Sequence, residues 1–172
     1  MRKHRNGGTY TAQILVDGKV VQTITYKLSL DAVRRQLMKH ANMKSSTTGW
    51  VIVVDKTLHR VGIFTGEKGS WSIIKSWPCG DGKPSTPTPE GTYTVKTKGP
   101  YFDSGADRCF YYTEFTRHYY FHSVTCNPAT GEPRPGKQLG AGTSHGCVRL
   151  AKANAKWLMN NVPVGSTVYV YH

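Results

Sequence analysis

Residues 144–150 read Ser-His-Gly-Cys-Val-Arg-Leu, and a second histidine, His122, lies upstream. A thiol reacts as the thiolate, and only a few per cent of an ordinary thiol of pKa about 8.5 is ionised at neutral pH. A neighbouring imidazole is suited to take the proton. Gly146 lets another group approach the backbone beside the sulfur. Of the four cysteines, only Cys147 has this setting, so it is the candidate nucleophile. His145 is two residues away, and on an extended strand both side chains point to one face. His122 lies in the strand-like run Tyr119-Tyr120-Phe121-His122-Ser123 and would reach Cys147 from a neighbouring strand. Spacing alone does not rank the two histidines. A metal set of His122, Cys126, His145 and Cys147 is the chemical rival, but His-x-Cys and the long intervening loop fit zinc spacing poorly. The plain alternative is a small buried cysteine beside a polar histidine. Neither a metal nor a cofactor is expected.

The elements that would position these residues are short. Residues 9–27 predict a hairpin around Asp17-Gly18, in which Tyr10, Ala12, Ile14 and Val16 alternate with polar residues. Ser29 then reads as the N-cap of a helix carrying Leu30, Val33, Leu37, Met38 and Ala41 at helical spacing. Asn42 to Gly49 is polar and reads as a linker. From Trp50 onward, strands are expected at Trp50–Asp55, His59–Thr65, Ser70–Lys75, Gly91–Lys96, Cys109–Thr113 and Tyr119–Ser123. A helix is expected at about Ala151–Asn161, ended by Pro163 and Gly165, before a last strand at Ser166–Tyr171. The fold class is therefore mainly β, a sandwich or barrel-like domain over residues 49–172 with one helix in its C-terminal half. A small ββα unit, residues 1–48, precedes it. Gly80–Gly91 carries three prolines and reads as a rigid loop.

The charge is +13, and residues 1–48 hold nine basic against two acidic residues. That balance attracts polyanions without saying which: nucleic acid, anionic lipid and anionic wall polymer all stand open on charge alone. No nucleic-acid-binding motif accompanies it, so nucleic acid is not an expected partner. No apolar run approaches the roughly 20 residues of a membrane span. Met1-Arg2-Lys3-His4-Arg5 is basic like the start of a signal peptide, but Asn6-Gly7-Gly8 follows where an apolar core would stand. Cys79, Cys109 and Cys126 allow at most one bridge, Cys79–Cys109 by preference; the alternative is three small buried residues.

Thr143 to Leu150 resembles the signature of the L,D-transpeptidase catalytic domain family: Ser/Thr-His-Gly-Cys, an apolar residue, then Asn or Arg, with a leading histidine matched by His122. Ser85-Thr86-Pro87-Thr88-Pro89-Glu90-Gly91 resembles the family's Thr-Pro-x-Gly segment entering a strand, and Gly165 to Val168 its closing Gly-x-x-Val. The resemblance covers about residues 49–172. The 21 residues between His122 and Ser144 exceed the common spacing, and Cys126 to Gly142 reads as an enlarged loop over the site.

The resemblance implies that Cys147 is the nucleophile and His122 its base. It implies that the Ser123 carbonyl orients the ring, that His145 lines the site, and that N–H groups at Gly146 and Cys147 form an oxyanion hole, worth roughly 3 kcal/mol. Arg149 and Ser144 would hold substrate, with an internal ion pair as the alternative for Arg149. Tyr112, with Tyr111, Tyr119 and Tyr120, would line a donor cleft or simply fill the core. The implied reaction is acyl transfer between peptidoglycan stem peptides outside the cytoplasm, inhibited by carbapenem-type β-lactams. Hydrolysis by the same nucleophile, giving an L,D-carboxypeptidase, and an idle wall-binding module are the alternatives.

Overall fold

The computed structural model describes residues 8–136 and 138–172. The basic run Met1 to Arg5, compared above with the start of a signal peptide, lies outside the described residues, as do the side chains of Tyr10 and Ala12. Contacts divide the chain into two units, with the boundary between Gln36 and Leu37.

In the first unit, β1 (Gly8–Val16) pairs antiparallel with β2 (Lys19–Leu28). Asp17 and Gly18 join them with φ of +51° and +73°, the positive values a two-residue turn needs to match strand twist. Helix α1 (Leu30–Ala41) follows. The Ser29 hydroxyl accepts the Ala32 N–H at 3.2 Å, as an N-cap does. Ile14, Leu15, Val16, Val20, Val21 and Ile24 are exposed on the hairpin.

The second unit begins within α1 and contains two sheets. One orders as β5 (Ser72–Pro78), β4 (Arg60–Thr65), β3 (Trp50–Asp55), β13 (Thr167–Tyr171) and β7 (Gly91–Thr94). Strand β3 runs parallel to β13 and antiparallel to β4. Its Val51 to Val54 are all fully buried, which is why the sequence there is continuously apolar rather than alternating. The other sheet orders as β11 (Ala141–Ser144), β6 (Gly80–Gly82), β12 (Val148–Leu150), β10 (Tyr119–Ser123), β9 (Asp107–Thr116) and β8 (Lys98–Ser104). One core joins them: Ile52, Val54, Ile63 and Val168 from the first meet Phe115, Phe121, Val148 and Leu150 from the second. Helix α2 (Lys152–Asn161) adds Ala155 and Leu158.

Several expectations need correction. The expected linker at Asn42 to Gly49 is stitched into the sheet. Ser46 Oγ accepts the Thr167 N–H at 3.1 Å, Thr167 Oγ1 donates to the Ser45 carbonyl at 2.8 Å, and the Thr48 and Ser166 hydroxyls meet at 2.8 Å. Small polar residues serve here because each supplies a hydrogen bond to the start of a buried strand. The suggested Cys79–Cys109 bridge is absent: both thiols are free and buried, Cys79 in the shared core and Cys109 within β9. They act as small apolar side chains. The Gly80–Gly91 segment is not loop throughout, because its first three residues form β6. The Cys126–Gly142 loop is fastened at several points. Cys126 bridges Arg108 and Pro133, Arg134 pairs with Asp107 at 2.7 Å, and Lys152 Nζ donates to the Gly131 carbonyl at 2.8 Å.

Candidate active site

The site is built where β10 and β12 run parallel, with Phe121 opposite Val148, His122 opposite Arg149 and Ser123 opposite Leu150. Phe121, Val148 and Leu150 face the core, which fixes the register and carries His122 and Arg149 to one level of adjacent strands. Cys147 immediately precedes β12. The expectation that His145 and Cys147 share a strand face fails, because β11 ends at Ser144 and residues 145–147 form the turn into β12. Gly146, at φ +120°, makes that turn. A Cβ there would lie 2.5 Å from the Tyr119 ring, so glycine serves both the backbone angle and the close approach. His145 ends exposed while Gly146 is buried.

The turn is clamped from behind by the threonines of the Thr-Pro segment. Thr88 is fully buried; its Oγ1 donates to the Gly146 carbonyl at 2.8 Å and accepts the Gly82 N–H at 2.9 Å. Thr86 Oγ1 donates to the Ser144 carbonyl at 3.2 Å, and the Lys83 N–H reaches the same carbonyl at 3.0 Å. Ser144 closes the turn from within. Its hydroxyl accepts the Gly146 N–H at 2.9 Å and donates to the Cys147 carbonyl at 2.6 Å. Ser144 is buried and its hydroxyl is engaged in both bonds, so it holds the turn. The Gly146 N–H is likewise already used.

His122 is buried, and its Nδ1 lies 2.6 Å from the Ser123 carbonyl oxygen. A carbonyl only accepts, so Nδ1 carries the proton and Nε2 keeps its lone pair. Burial first, then the Arg149 charge, pulls the His122 pKa down to about 4, against the pull of the Ser123 hydrogen bond. Phe102 meets the ring edge-on at 5.2 Å. The Cys147 thiol donates toward the His118 carbonyl at 3.8 Å. Burial pushes its pKa above the usual thiol value, opposed by a Tyr120 backbone hydrogen bond and the Arg149 charge. Burial thus favours the neutral form of both the thiol and the ring.

Arg149 has no carboxylate within ion-pairing distance among the described residues, and its buried Nε has no partner there. The internal ion pair offered as its alternative role is therefore not formed. The tyrosines divide. Tyr112 and Tyr120, edge to face at 5.6 Å, line a cavity of about 250 Å³ with Thr97, Tyr101 and Phe102, whereas Tyr111 and Tyr119 pack on the core. Among the described residues no group of three or more His, Cys, Asp or Glu side chains is gathered to hold a metal ion, and Cys126 Sγ instead donates to the Val124 carbonyl at 3.2 Å. The roles of Phe102, Tyr119 and the His118 carbonyl carry no local sequence signal; those of Thr86 and Thr88 show only as a motif.

The YkuD family model, an L,D-transpeptidase catalytic domain, matches residues 49–170. YciB of Bacillus subtilis strain 168, itself assigned provisionally as an L,D-transpeptidase, is 34% identical over 95 residues. That match covers 48% of this chain and 46% of YciB, so it spans about half of either protein. A fused zinc-dependent amidase/peptidase/peptidoglycan-binding domain-containing protein from Clostridium acetobutylicum ATCC 824 superposes with a TM-score of 0.67 at 31% identity, covering 92% of this chain and 70% of that one. An L,D-transpeptidase from Mycobacterium smegmatis gives 0.58 at 26% identity, covering 72% and 59%.

Proposed function

Because the chain belongs to the L,D-transpeptidase catalytic domain family, we propose that it transfers an acyl group between peptidoglycan stem peptides through a thioester on Cys147. The observation that carries this reading is the His122 tautomer: Nδ1–H bound to the Ser123 carbonyl leaves Nε2 free to accept a proton. With burial favouring the neutral thiol and ring, deprotonation accompanies attack rather than preceding it. Cys147 sulfur adds to the carbonyl between the diamino acid and the terminal D-Ala of a tetrapeptide stem, and His122 Nε2 takes the thiol proton. The tetrahedral oxyanion lies against the Cys147 N–H. His122 returns the proton to the leaving nitrogen, and D-Ala departs as the C–N bond breaks.

In the second half-reaction an amine of another stem attacks the thioester and gives its proton to His122. Collapse expels the sulfur, which recovers that proton. A guanidinium matches a carboxylate with two parallel hydrogen bonds, so the unpaired Arg149 suits a carboxylate of the donor stem. Tyr112 would line the donor's path. His145, exposed on the turn, borders the entrance. A wall substrate places the protein outside the cytoplasm, where its positive charge favours anionic wall polymers. Mass spectrometry of products from purified muropeptides tests the proposal. Cross-linked dimer with released D-Ala is expected, tripeptide alone would mean the hydrolytic reading, and neither would refute both.

A further inference from the structure

A second cavity, of about 430 Å³, lies behind the Thr86–Thr88 clamp and is lined by Lys56, His59, Asp81, Gly82, Pro87 and His172 among others. Its polar groups are arranged rather than scattered. Asp81 on β6 is buried, its side chain 3% exposed, and His59 Nδ1 donates to its Oδ2 at 2.8 Å. A buried carboxylate is costly unless partnered in this way. His59 takes a left-handed φ of +48°, a conformation held by the Cys79 N–H on its carbonyl at 2.8 Å. Gly142 stands opposite Asp81 in the β6–β11 pairing. A Cβ there would come 2.9 Å from the Gly82 carbonyl and 3.3 Å from Asp81 Oδ1, so glycine keeps the carboxylate clear.

Asp81 meets His59 through Oδ2, and the side-chain donors left to an occupant come from Lys56 and the two imidazoles. Lys56 holds the exposed Glu90 at 2.8 Å with one of its three N–H groups, and His172 adds a second imidazole. Such a lining suits an anion with directional lone pairs. The cavity also adjoins the chemistry. The Gly82 N–H binds the Thr88 hydroxyl that holds the Gly146 carbonyl, and the Pro87 carbonyl would lie 3.6 Å from a Cβ on Gly146. An occupant would therefore rest against the backbone that sets the catalytic turn.

We propose that this cavity binds the carboxylate end of a peptide, and that in the reaction above this peptide is the second, amine-donating stem. The acceptor assignment rests on the transpeptidase reading; the carboxylate site does not. Nuclear magnetic resonance titration of the Cys147→Ala protein, which cannot turn over, tests the site itself. The probes are a tetrapeptide stem, the same peptide with every carboxylate amidated, and inorganic phosphate. Saturable shifts of the His59 and His172 ring resonances are expected with the acid peptide, at least tenfold weaker binding with the amide, and at least fivefold weaker binding in Lys56→Ala. The Lys56 side chain is 13% exposed and its partner Glu90 51%, so a thermal melt of Lys56→Ala accompanies the titration to show that the fold is retained. Unmoved histidine resonances, equal binding of the amide, or phosphate binding as tightly as the peptide would each overturn the proposal. The acceptor assignment is read separately, in the protein with Cys147 intact. Lys56→Ala should lower the ratio of cross-linked product to released D-Ala at least fivefold, and an unchanged ratio rejects it. Failure of the unsubstituted protein to release any D-Ala would reject the transpeptidase reading and leave the titration to decide the cavity.

Discussion

Two histidines on opposite sides of the catalytic turn each direct Nδ1 at an oxygen, and the oxygens differ. His122 meets the Ser123 backbone carbonyl, whereas His59 meets the Asp81 carboxylate. A carbonyl orients a ring and fixes its tautomer without offering a countercharge; a carboxylate offers both. The first arrangement suits a base that gains and returns a proton in each turnover. The second suits a fixed donor that faces a ligand. Burial sharpens the contrast, since His122 is sealed between Phe102 and the Arg149 strand, while the His59 side chain remains 28% exposed at the cavity.

The largest effect should come from the sulfur. Cys147→Ala is expected to reduce D-Ala release to the uncatalysed background and to abolish covalent labelling by a carbapenem, both read by mass spectrometry. His122→Gln comes next, lowering kcat/KM by about 10²- to 10⁴-fold, the usual contribution of a positioned base. Activity of the unsubstituted protein should fall as pH drops through about 4, where His122 takes a proton.

The same residue links pH to stability. Its folded pKa of about 4 lies below its ordinary 6.5, so between those values the unfolded chain binds the extra proton. Stability is fully present above pH 6.5 and is lost as pH falls toward 4, by on the order of 3 kcal/mol. Denaturant unfolding across this window should show the loss, and His122→Gln should flatten it. A profile identical in both proteins would break the contrast drawn between the two histidines.

Smaller effects sharpen the positioning part of the account. Arg149→Lys keeps the charge and loses the planar fork, so KM for the donor stem should rise roughly tenfold with a lesser change in kcat. Thr88→Val leaves the Gly82 N–H and the Gly146 carbonyl unpaired in a buried place, at about 1–3 kcal/mol for each group. Its thermal midpoint should fall and Thr88→Ser should restore it. His145→Gln should change kcat/KM by less than about threefold, since His145 is exposed on the turn.

Strands with their own apolar pattern were legible in the sequence. Trp50–Asp55 and Tyr119–Ser123 fall on their expected bounds, and the hairpin turn at Asp17-Gly18 and the Ser29 cap form as their residue types dictate. Gly80–Gly82, Ala141–Ser144 and Val148–Leu150 escaped, because runs of three or four residues are too short to show a period. Their pairing comes from neighbours distant in sequence. Lys98–Ser104 escaped for another reason: Pro100 lies within it, opposite Tyr111, which adopts φ +56°. At the site, Cys147, His122 and Arg149 were legible as residues of a motif. That Ser144 consumes the Gly146 N–H, or that burial favours the neutral thiol and imidazole, depends on packing that no local pattern encodes.

The claim that Cys147 forms a thioester with the donor stem is tested most directly by intact-protein mass spectrometry after brief mixing with a tetrapeptide stem and no acceptor. The account predicts an adduct of the stem less D-Ala, located on the Cys147 peptide, with one D-Ala released per adduct. D-Ala release that persists in Cys147→Ala, or an adduct carried by another residue, would contradict it.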